Sequence, residues 1–162
     1  APFDLLSRLP RSKGSSVADK WEKSLSATKW GDRKEAAELI IFLASPHEVL
    51  AKGDYSSVAK GLQKLFADSN VNVAASAIRA IAAIAAPLGR RFGKDANTLA
   101  PALLGKATDK SRVIVEAVRD CLSVFCTKGC LLLAEVLAAS DTAVASSNNP
   151  LQRTTVARWL QN

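Results

Sequence analysis

Short polar turns, each followed by apolar residues at helical spacing, recur along this chain. Their period is about 40 residues, which is the helix-pair period of HEAT and armadillo arrays. The four turns contain Trp30-Gly31, Ser69-Asn70, Lys110-Ser111 and Asn149-Pro150. Two helices per unit, without a third short helix, favour HEAT. Because one pair cannot bury its apolar face alone, the pairs must stack. The sequence therefore predicts an all-α fold, a HEAT-repeat α-solenoid built as a paddle-like stack of antiparallel helix pairs.

The turns also set the expected repeat boundaries. We expect a lead-in segment over residues 1–15 and four repeats, at approximately 16–45, 55–88, 95–125 and 128–162. Within them the pattern predicts helices over residues 16–28, 32–44, 55–67, 71–88 and 128–139. Asp32 is the predicted N-cap of the second helix, and Glu35 completes a capping box. Pro101 is expected in or near the opening turn of the first helix of the third pair.

Trp30 lies outside the apolar stripe of the helix that follows it. That stripe consists of Ala36, Leu39, Ile40 and Leu43, and Trp30 precedes the predicted cap. An aromatic side chain on a polar turn is typical of an interface anchor. The alternative is that it folds back onto the preceding helix. Because the other pairs repeat the same turn, we favour the interface.

Composition restricts the class of protein. The chain has 162 residues, of which 48% are apolar, and this is enough for one domain with a core. Alanine is abundant while aromatics and glycine are few, which favours helix. No apolar run approaches the roughly 18 residues of a membrane span. The net charge of +7 indicates an acidic partner, whether nucleic acid, an anionic membrane or an acidic protein.

The sequence contains no arrangement typical of an enzyme or a metal site. Cys121, Cys126 and Cys130 lack the paired spacings and the fourth ligand of a zinc site. We interpret them as buried free thiols, which suits a reducing cytosol. Residues 89–94 resemble a phosphate loop, but the spacing is short and Asp95 stands where Ser or Thr is required. No Gly-x-Ser-x-Gly elbow occurs. We therefore expect no catalysis, no cofactor, no metal and no small-molecule substrate.

The row of turns is the remaining candidate for a binding site. Its mixture of aromatic, apolar, small polar and basic side chains suits a protein surface, because a nucleic-acid groove needs many more Lys and Arg. Two alternatives stay open: Lys110 and Arg112 serving solubility alone, and Val71 packing within its helix pair. The candidate residues are Trp30, Ser69, Asn70, Val71, Lys110, Ser111, Arg112 and Asn149.

Several motifs, spread over nearly the whole chain, resemble a TOG domain. They are Leu5-Leu6-Ser7-Arg8-Leu9-Pro10, Trp21, Lys29-Trp30-x-x-Arg33-Lys34-Glu35-Ala36, Gly53-Asp54-Tyr55, Asp68-Ser69-Asn70-Val71, Leu88-Gly89-Arg90-Arg91-Phe92-Gly93, Asn149-Pro150, Thr154-Thr155 and Trp159-Leu160. TOG domains are the HEAT arrays of microtubule polymerases of the chTOG family and, more distantly, of CLASP proteins. The lead-in looks most like that of a second TOG domain.

The resemblance implies that the chain binds the αβ-tubulin heterodimer through its intra-repeat turns and contributes to microtubule plus-end growth. Trp30 matches the aromatic that docks on β-tubulin, and Asn70 and Val71 match the second contact turn. Lys110 and Arg112 fall in the third turn, whose sequence departs from that of the family. Asn149 falls in the fourth.

The resemblance also implies where the chain acts and how it departs from its family. It implies a monomeric domain in the cytoplasm, on microtubules, the spindle and the centrosome, with no nucleic-acid or membrane partner. The family's domain has six repeats, so we expect a truncated array that lacks the basic fifth turn. The start, Ala1-Pro2-Phe3, has neither an initiator Met nor a signal-peptide pattern, which also suggests a fragment of a longer chain. The alternative function is a HEAT-repeat adaptor or scaffold that binds another acidic protein.

Overall fold

The computed structural model describes residues 1–132, and those residues form a succession of helices. The α-helices in this range are α1 (Asp19–Ser24), α2 (Trp30–Ala44), α3 (Tyr55–Lys64), α4 (Val71–Leu88), α5 (Gly93–Gly105) and α6 (Arg112–Thr127). Short 3-10 turns cover Leu6–Arg8, Leu65–Ala67 and Gly89–Phe92. The fourth repeat expected from the sequence is described only as far as residue 132. Its remainder, which includes Asn149, lies outside the described residues.

The helices form two layers, with α2, α4 and α6 side by side in one of them. The starts of α2 and α4 are adjacent, because Arg33 contacts Asp68 at 2.7 Å. The ends of α4 and α6 are adjacent too, since the Cys130 thiol lies 3.4 Å from the Ala85 carbonyl. These three helices therefore run parallel, with α4 in the centre. In the other layer, Ser56 at the start of α3 donates to Asp95 at the start of α5. The prediction of stacked helix pairs is confirmed.

Helix α4 forms the middle of the core because its small and β-branched side chains permit close packing on both sides. Val73, Ile78, Ile81 and Ile84 are all fully buried. Alanines fill most of the positions between them, which allows α2 and α6 to approach closely. Gly89 ends the helix with a φ of 55°, a left-handed conformation that glycine adopts without steric cost.

The segment from α4 through α5 is also long and apolar enough to cross a membrane by length and composition alone. It covers Val71–Gly105, with a mean hydropathy of 1.6 in its most apolar part, of which 61% is buried inside the fold. Burial of that kind is typical of a central core helix. In the sequence, Asn72, Ser76 and Arg79 interrupt the apolar run.

Close packing around α1 depends on a glycine beside a large aromatic. The Trp21 side chain of α1 is 1% exposed, and its indole Nε1 donates to the Ala36 carbonyl of α2 at 2.9 Å. A Cβ atom at Gly61 of α3 would lie 2.7 Å from a Leu25 methyl carbon and 3.6 Å from the Trp21 ring. Glycine at that position therefore allows α3 to pack directly against α1.

The lead-in residues pack against the far end of the first repeat. Phe3 forms an isolated parallel bridge with Leu50, and its ring stacks on His47 with centroids 3.8 Å apart. Leu5 and Leu9 are buried in the core. The histidine is thus held by an aromatic contact.

Three predicted helix starts are wrong. Residues 128–132, where a helix was expected to begin at residue 128, form turns and bends instead, with Gly129 at a φ of 75°. Helix α1 begins at Asp19 rather than at residue 16, because the Asp19 carboxylate accepts the Ser12 amide at 2.7 Å and holds the preceding residues in a loop. Helix α2 begins at Trp30 with Lys29 at the N-cap position. Asp32 is therefore in the first turn, and the capping box predicted with Glu35 does not form.

The predicted position of Pro101 is also wrong, since it lies inside α5, which begins at Gly93. A proline inside a helix removes one amide hydrogen bond. Here the group that loses its partner is the carbonyl of Asn97. Both Asn97 and Pro101 are exposed, so this carbonyl lies on the solvent side of the helix, where water can replace the missing donor.

The cysteines are free thiols, as predicted, with Cys121 and Cys130 buried and Cys126 half-buried. Because α6 ends at Thr127, Cys126 and Cys130 do not share one continuous helix face. Burial raises the pKa of the Cys121 thiol, and it raises the pKa of Cys130 to about 11. These thiols are therefore protonated at neutral pH, which suits a structural role.

Candidate functional site

An exposed apolar side chain stands at the beginning of each helix in the α2, α4 and α6 layer. Trp30 is the first residue of α2 and is 49% exposed, Val71 is the first residue of α4 and is 42% exposed, and Val113 is the second residue of α6 and is 38% exposed. Because the three helices are parallel neighbours, these residues form one row. We call the surface formed by Lys29, Trp30, residues 68–71 and residues 109–113 the turn edge.

The second and third turns are built in the same way. In the second, Asp68 Oδ1 accepts the Asn70 amide at 2.9 Å. In the third, Asp109 Oδ1 accepts the Ser111 amide at 2.8 Å. The residue that donates, Asn70 or Ser111, is then the N-cap of the following helix. A short Asx turn thus places the starts of α4 and α6 in equivalent positions.

Helix α4 has an additional side-chain cap in the second turn. The Asn70 side chain accepts the Asn72 amide at 2.9 Å, which satisfies one of the free amides of the helix start. Neither Lys29 before α2 nor Ser111 before α6 makes such a bond. Asn70 therefore has a structural role in its turn, in addition to any role in binding.

The first turn is held instead by Arg33 from within α2. Its Nη1 atom donates to the Ala27 carbonyl at 2.8 Å and to the Thr28 carbonyl at 3.1 Å. The same guanidinium contacts Asp68 of the second turn with two further hydrogen bonds. This arrangement leaves the Trp30 ring free on the outside of the turn.

The structure exposes most of the residues that the sequence marked as candidates. Trp30, Ser69, Val71, Lys110 and Arg112 are exposed, while Asn70 and Ser111 are half-buried. The exposure of Val71 argues against the alternative that it packs within its helix pair. The Arg112 side chain is 90% exposed and its Nε atom lies 2.9 Å from a Glu116 carboxylate oxygen one helical turn later, so its charge remains at the surface.

Sequence reasoning did not mark Val113, Arg33 or Asp68 as part of the site. Val113 was not among the candidate residues, yet its side chain is exposed beside the third turn. Its position directly after a polar turn, as at Val71, is the signal that could have found it. Arg33 and Asp68 were noted only as parts of motifs. The 35 residues that separate them in the sequence give no local indication that they meet.

The described residues hold no arrangement suited to metal binding or phosphate cradling. In residues 1–132 no group of three or more His, Cys, Asp or Glu side chains could hold a metal ion. Residues 89–92 of the incomplete phosphate-loop pattern form a 3-10 turn. Within it the Arg91 guanidinium donates to the Leu50 carbonyl at 2.6 Å, which fixes the turn against the segment between α2 and α3.

Comparison with known proteins identifies relatives along almost the whole chain, although no protein-family model matches it. Protein MOR1 of Arabidopsis thaliana is 34% identical over 159 residues, which is 98% of this chain and 8% of that protein. Protein mini spindles of Drosophila melanogaster is 34% identical over 122 residues, which is 75% of this chain and 6% of that protein. The chain thus spans less than a tenth of the length of these curated relatives.

A solved structure has the same fold. It describes microtubule plus end tracking by XMAP215, CLIP-170 and EB1, and one of its chains matches with a TM-score of 0.82 at 27% sequence identity. The match covers 98% of this chain and 61% of that one.

The stacked helix pairs and the row of equivalent turns define a HEAT-repeat helical solenoid. The relatives and the structural match narrow the class further. The chain is a TOG domain and belongs to the XMAP215 family, together with MOR1 and mini spindles. Its assignment as a second TOG domain stays a prediction.

Proposed function

We propose that this chain binds the αβ-tubulin heterodimer through the turn edge and contributes to microtubule growth at plus ends. The observation that carries the proposal is the row formed by Trp30, Val71 and Val113, three apolar side chains exposed within the first two residues of parallel helices. Exposed apolar residues grouped on one surface are typical of protein interfaces.

The charge of the turn edge supports an acidic protein partner. Lys29, Lys110 and Arg112 are exposed beside the apolar row, and the whole chain carries a net charge of +7. Tubulin is strongly acidic, so the basic groups would speed association and set the register of docking. The row is too sparse in cations for a nucleic-acid backbone.

Each candidate residue has a proposed part in the contact. Trp30 docks on β-tubulin as the anchor, Ser69, Asn70 and Val71 form the second contact, and Lys110, Ser111 and Arg112 form the third. Asn149, which lies outside the described residues, is a fourth proposed contact. Helices pack roughly 8–10 Å apart, so the three described turns span about 20 Å. This length suits contact with one tubulin subunit.

The relatives' names support the cellular setting that we propose. They include mini spindles and the spindle pole body component alp14 of Schizosaccharomyces pombe, and the solved structure concerns plus end tracking. We place this chain in the cytoplasm, on microtubules, the spindle and the centrosome. It acts there as a monomeric binding domain without catalysis, cofactor or small-molecule substrate.

Gel filtration of the chain with unpolymerised tubulin tests the proposal. We expect both proteins to elute together, earlier than either one alone, with the shift weakening as salt is raised. Separate elution at low salt would contradict it. Binding to another acidic protein but not to tubulin would favour the HEAT adaptor, and retardation of an RNA or DNA probe would favour a nucleic-acid partner.

A further inference from the structure

One side chain contacts both the first and the second turn of the turn edge. Arg33, in the first turn of α2, donates to the carbonyls of Ala27 and Thr28, which belong to the turn before α2. Its Nε and Nη2 atoms donate to the two carboxylate oxygens of Asp68, at 2.7 Å and 3.1 Å. We call this pair the Arg33–Asp68 bridge.

The Asp68 carboxylate of the bridge also accepts a hydrogen bond within its own turn. Asp68 Oδ1 accepts the Asn70 amide at 2.9 Å while it accepts from Arg33. The two side chains are only 15% and 7% exposed, so the surrounding residues restrict their motion. The Arg33 hydrogen bond lowers the pKa of Asp68, and Asp68 raises the pKa of Arg33. Both groups are therefore charged at neutral pH, and a bidentate Arg–carboxylate contact fixes distance and orientation together.

The second and third turns have no corresponding link within residues 1–132. Asp109 occupies the position of Asp68 and accepts the Ser111 amide. The residue of α4 that corresponds to Arg33 is Ala74, the fourth residue of its helix, and it is buried and has no side-chain donor. The side-chain link therefore joins the first turn to the second but does not extend to the third.

We propose that Arg33 and Asp68 are positioning residues, which hold Trp30 and Val71 at a fixed spacing as one preorganised contact unit for tubulin. The third turn adjusts to the partner independently. The advantage is that a preorganised surface does not lose conformational freedom when it binds. This inference rests on the proposed function, since it concerns how the same surface meets tubulin.

Asp68→Asn tests the inference, because a positioning role and a pure charge effect predict opposite changes in tubulin affinity. Asparagine keeps the oxygen that accepts the Asn70 amide but loses the ion pair with Arg33. Because the partner is acidic, removal of a carboxylate would strengthen binding if charge alone mattered. We expect tubulin affinity to fall instead, by about tenfold, in a titration followed by fluorescence anisotropy. Unchanged or tighter binding would overturn the inference.

A matched control comes from the same helix. Glu38 of α2 forms an exposed ion pair with Lys34 at 2.9 Å, so Glu38→Gln also removes one carboxylate and one ion pair. We expect it to leave affinity within about twofold of the original chain. An equal loss of affinity in both variants would mean that the loss does not come from the Arg33 contact in particular, and it would overturn the positioning role.

The dependence of the Asp68→Asn penalty on the second turn is a further readout. A general loss of stability would lower affinity equally with and without a change in that turn. In a chain that already carries Val71→Ala, the second turn contributes less to binding, so its position matters less. We therefore expect the Asp68→Asn penalty to shrink to about twofold in that background. An equal penalty in both backgrounds would contradict a shared contact unit. If Asp68→Asn fails to fold by circular dichroism, Arg33→Lys, which keeps the cation but loses the two-pronged contact, takes its place.

A measurement without tubulin keeps failure of the inference distinct from failure of the proposed function. Nitroxide labels are placed at the exposed residues Lys29 and Ser69, with the native cysteines replaced by serine, and their spacing is read from dipolar broadening. We expect a narrow distance distribution that broadens with Asp68→Asn. Labels at Ser69 and Lys110 should show no change. If tubulin does not bind but the first pair broadens, the bridge stands and the function is wrong. An unchanged distribution would overturn the bridge.

Discussion

Two tryptophans nine residues apart in sequence lie in opposite environments. Trp21 is 1% exposed and donates its indole proton to the Ala36 carbonyl. Trp30 is 49% exposed and stands at the first position of α2, where its side chain projects from the turn. The buried one stabilises the packing of α1 on α2, whereas the exposed one is available to a partner. The position of each ring relative to the apolar stripe decides which role it has.

The Asp68 carboxylate gives the chain a pH dependence that can be measured. Its pKa lies below the ordinary value of 3.8, mainly because Arg33 donates to it. A lowered folded pKa contributes stability above that ordinary value, which is lost as the pH falls through the folded pKa. We therefore expect the original chain to be more stable than Asp68→Asn at neutral pH, with a difference that shrinks below about pH 4.

Urea unfolding of both chains from neutral to acidic pH measures this difference. The pKa of Asp19 is also lowered, because Ser12 donates to it, but Asp19 is present in both chains and its effect cancels. A stability difference that persisted undiminished in acid would mean that the Arg33 contact does not depend on the charge of Asp68.

At the scale of elements, α4 contributes most to the core because it is packed on both sides. Ile81 is fully buried in its middle, while its near neighbour Arg79 is exposed. Ile81→Ala should therefore lower the free energy of unfolding by about 2–5 kcal/mol, from lost burial and a residual cavity. Arg79→Ala, in the same helix, should change it by less than about 0.5 kcal/mol. Denaturant unfolding followed by circular dichroism compares the two, and similar values would contradict the central place of α4.

The sequence predicted α4 to the residue, because its apolar pattern is long and polar turns flank it. The predicted start of α2 was wrong, and the reason is physical. Asp32 satisfies the local rule for a cap, but Arg33 organises the turn through carbonyls before the helix and a carboxylate 35 residues away. Contacts at such separation leave no local pattern. The candidate turn residues could be found because the turns repeat at a regular period. The bridge that joins two of the turns could not be found, because its two residues are far apart in the sequence.

At the scale of the whole molecule, the net charge of +7 should influence how fast an acidic partner docks. Charge reversal at both Lys110 and Arg112 should weaken tubulin binding and reduce its dependence on salt, because rim charges mainly set the association rate. Titrations at several salt concentrations measure this.

The control for that experiment is Lys20→Glu with Lys23→Glu, an equal change in net charge at exposed positions of α1. Neither residue belongs to the turn edge, and both lie on α1, which precedes the first turn. We expect the control pair to change affinity and salt response much less. The same salt profile from both double variants would assign Lys110 and Arg112 to solubility rather than to the contact.

The most direct test of the account compares two exposed aromatics on one helix. Trp30 and Phe42 are 49% and 75% exposed, and they lie at opposite ends of α2, about 18 Å apart along its axis. Trp30→Glu and Phe42→Glu each replace an exposed ring by one negative charge, so neither should alter helical circular dichroism or the melting temperature appreciably. We expect Trp30→Glu to abolish co-elution with unpolymerised tubulin in gel filtration and Phe42→Glu to preserve it. Tubulin binding by a folded Trp30→Glu chain, or its loss only in Phe42→Glu, would contradict the assignment of the turn edge as the binding surface.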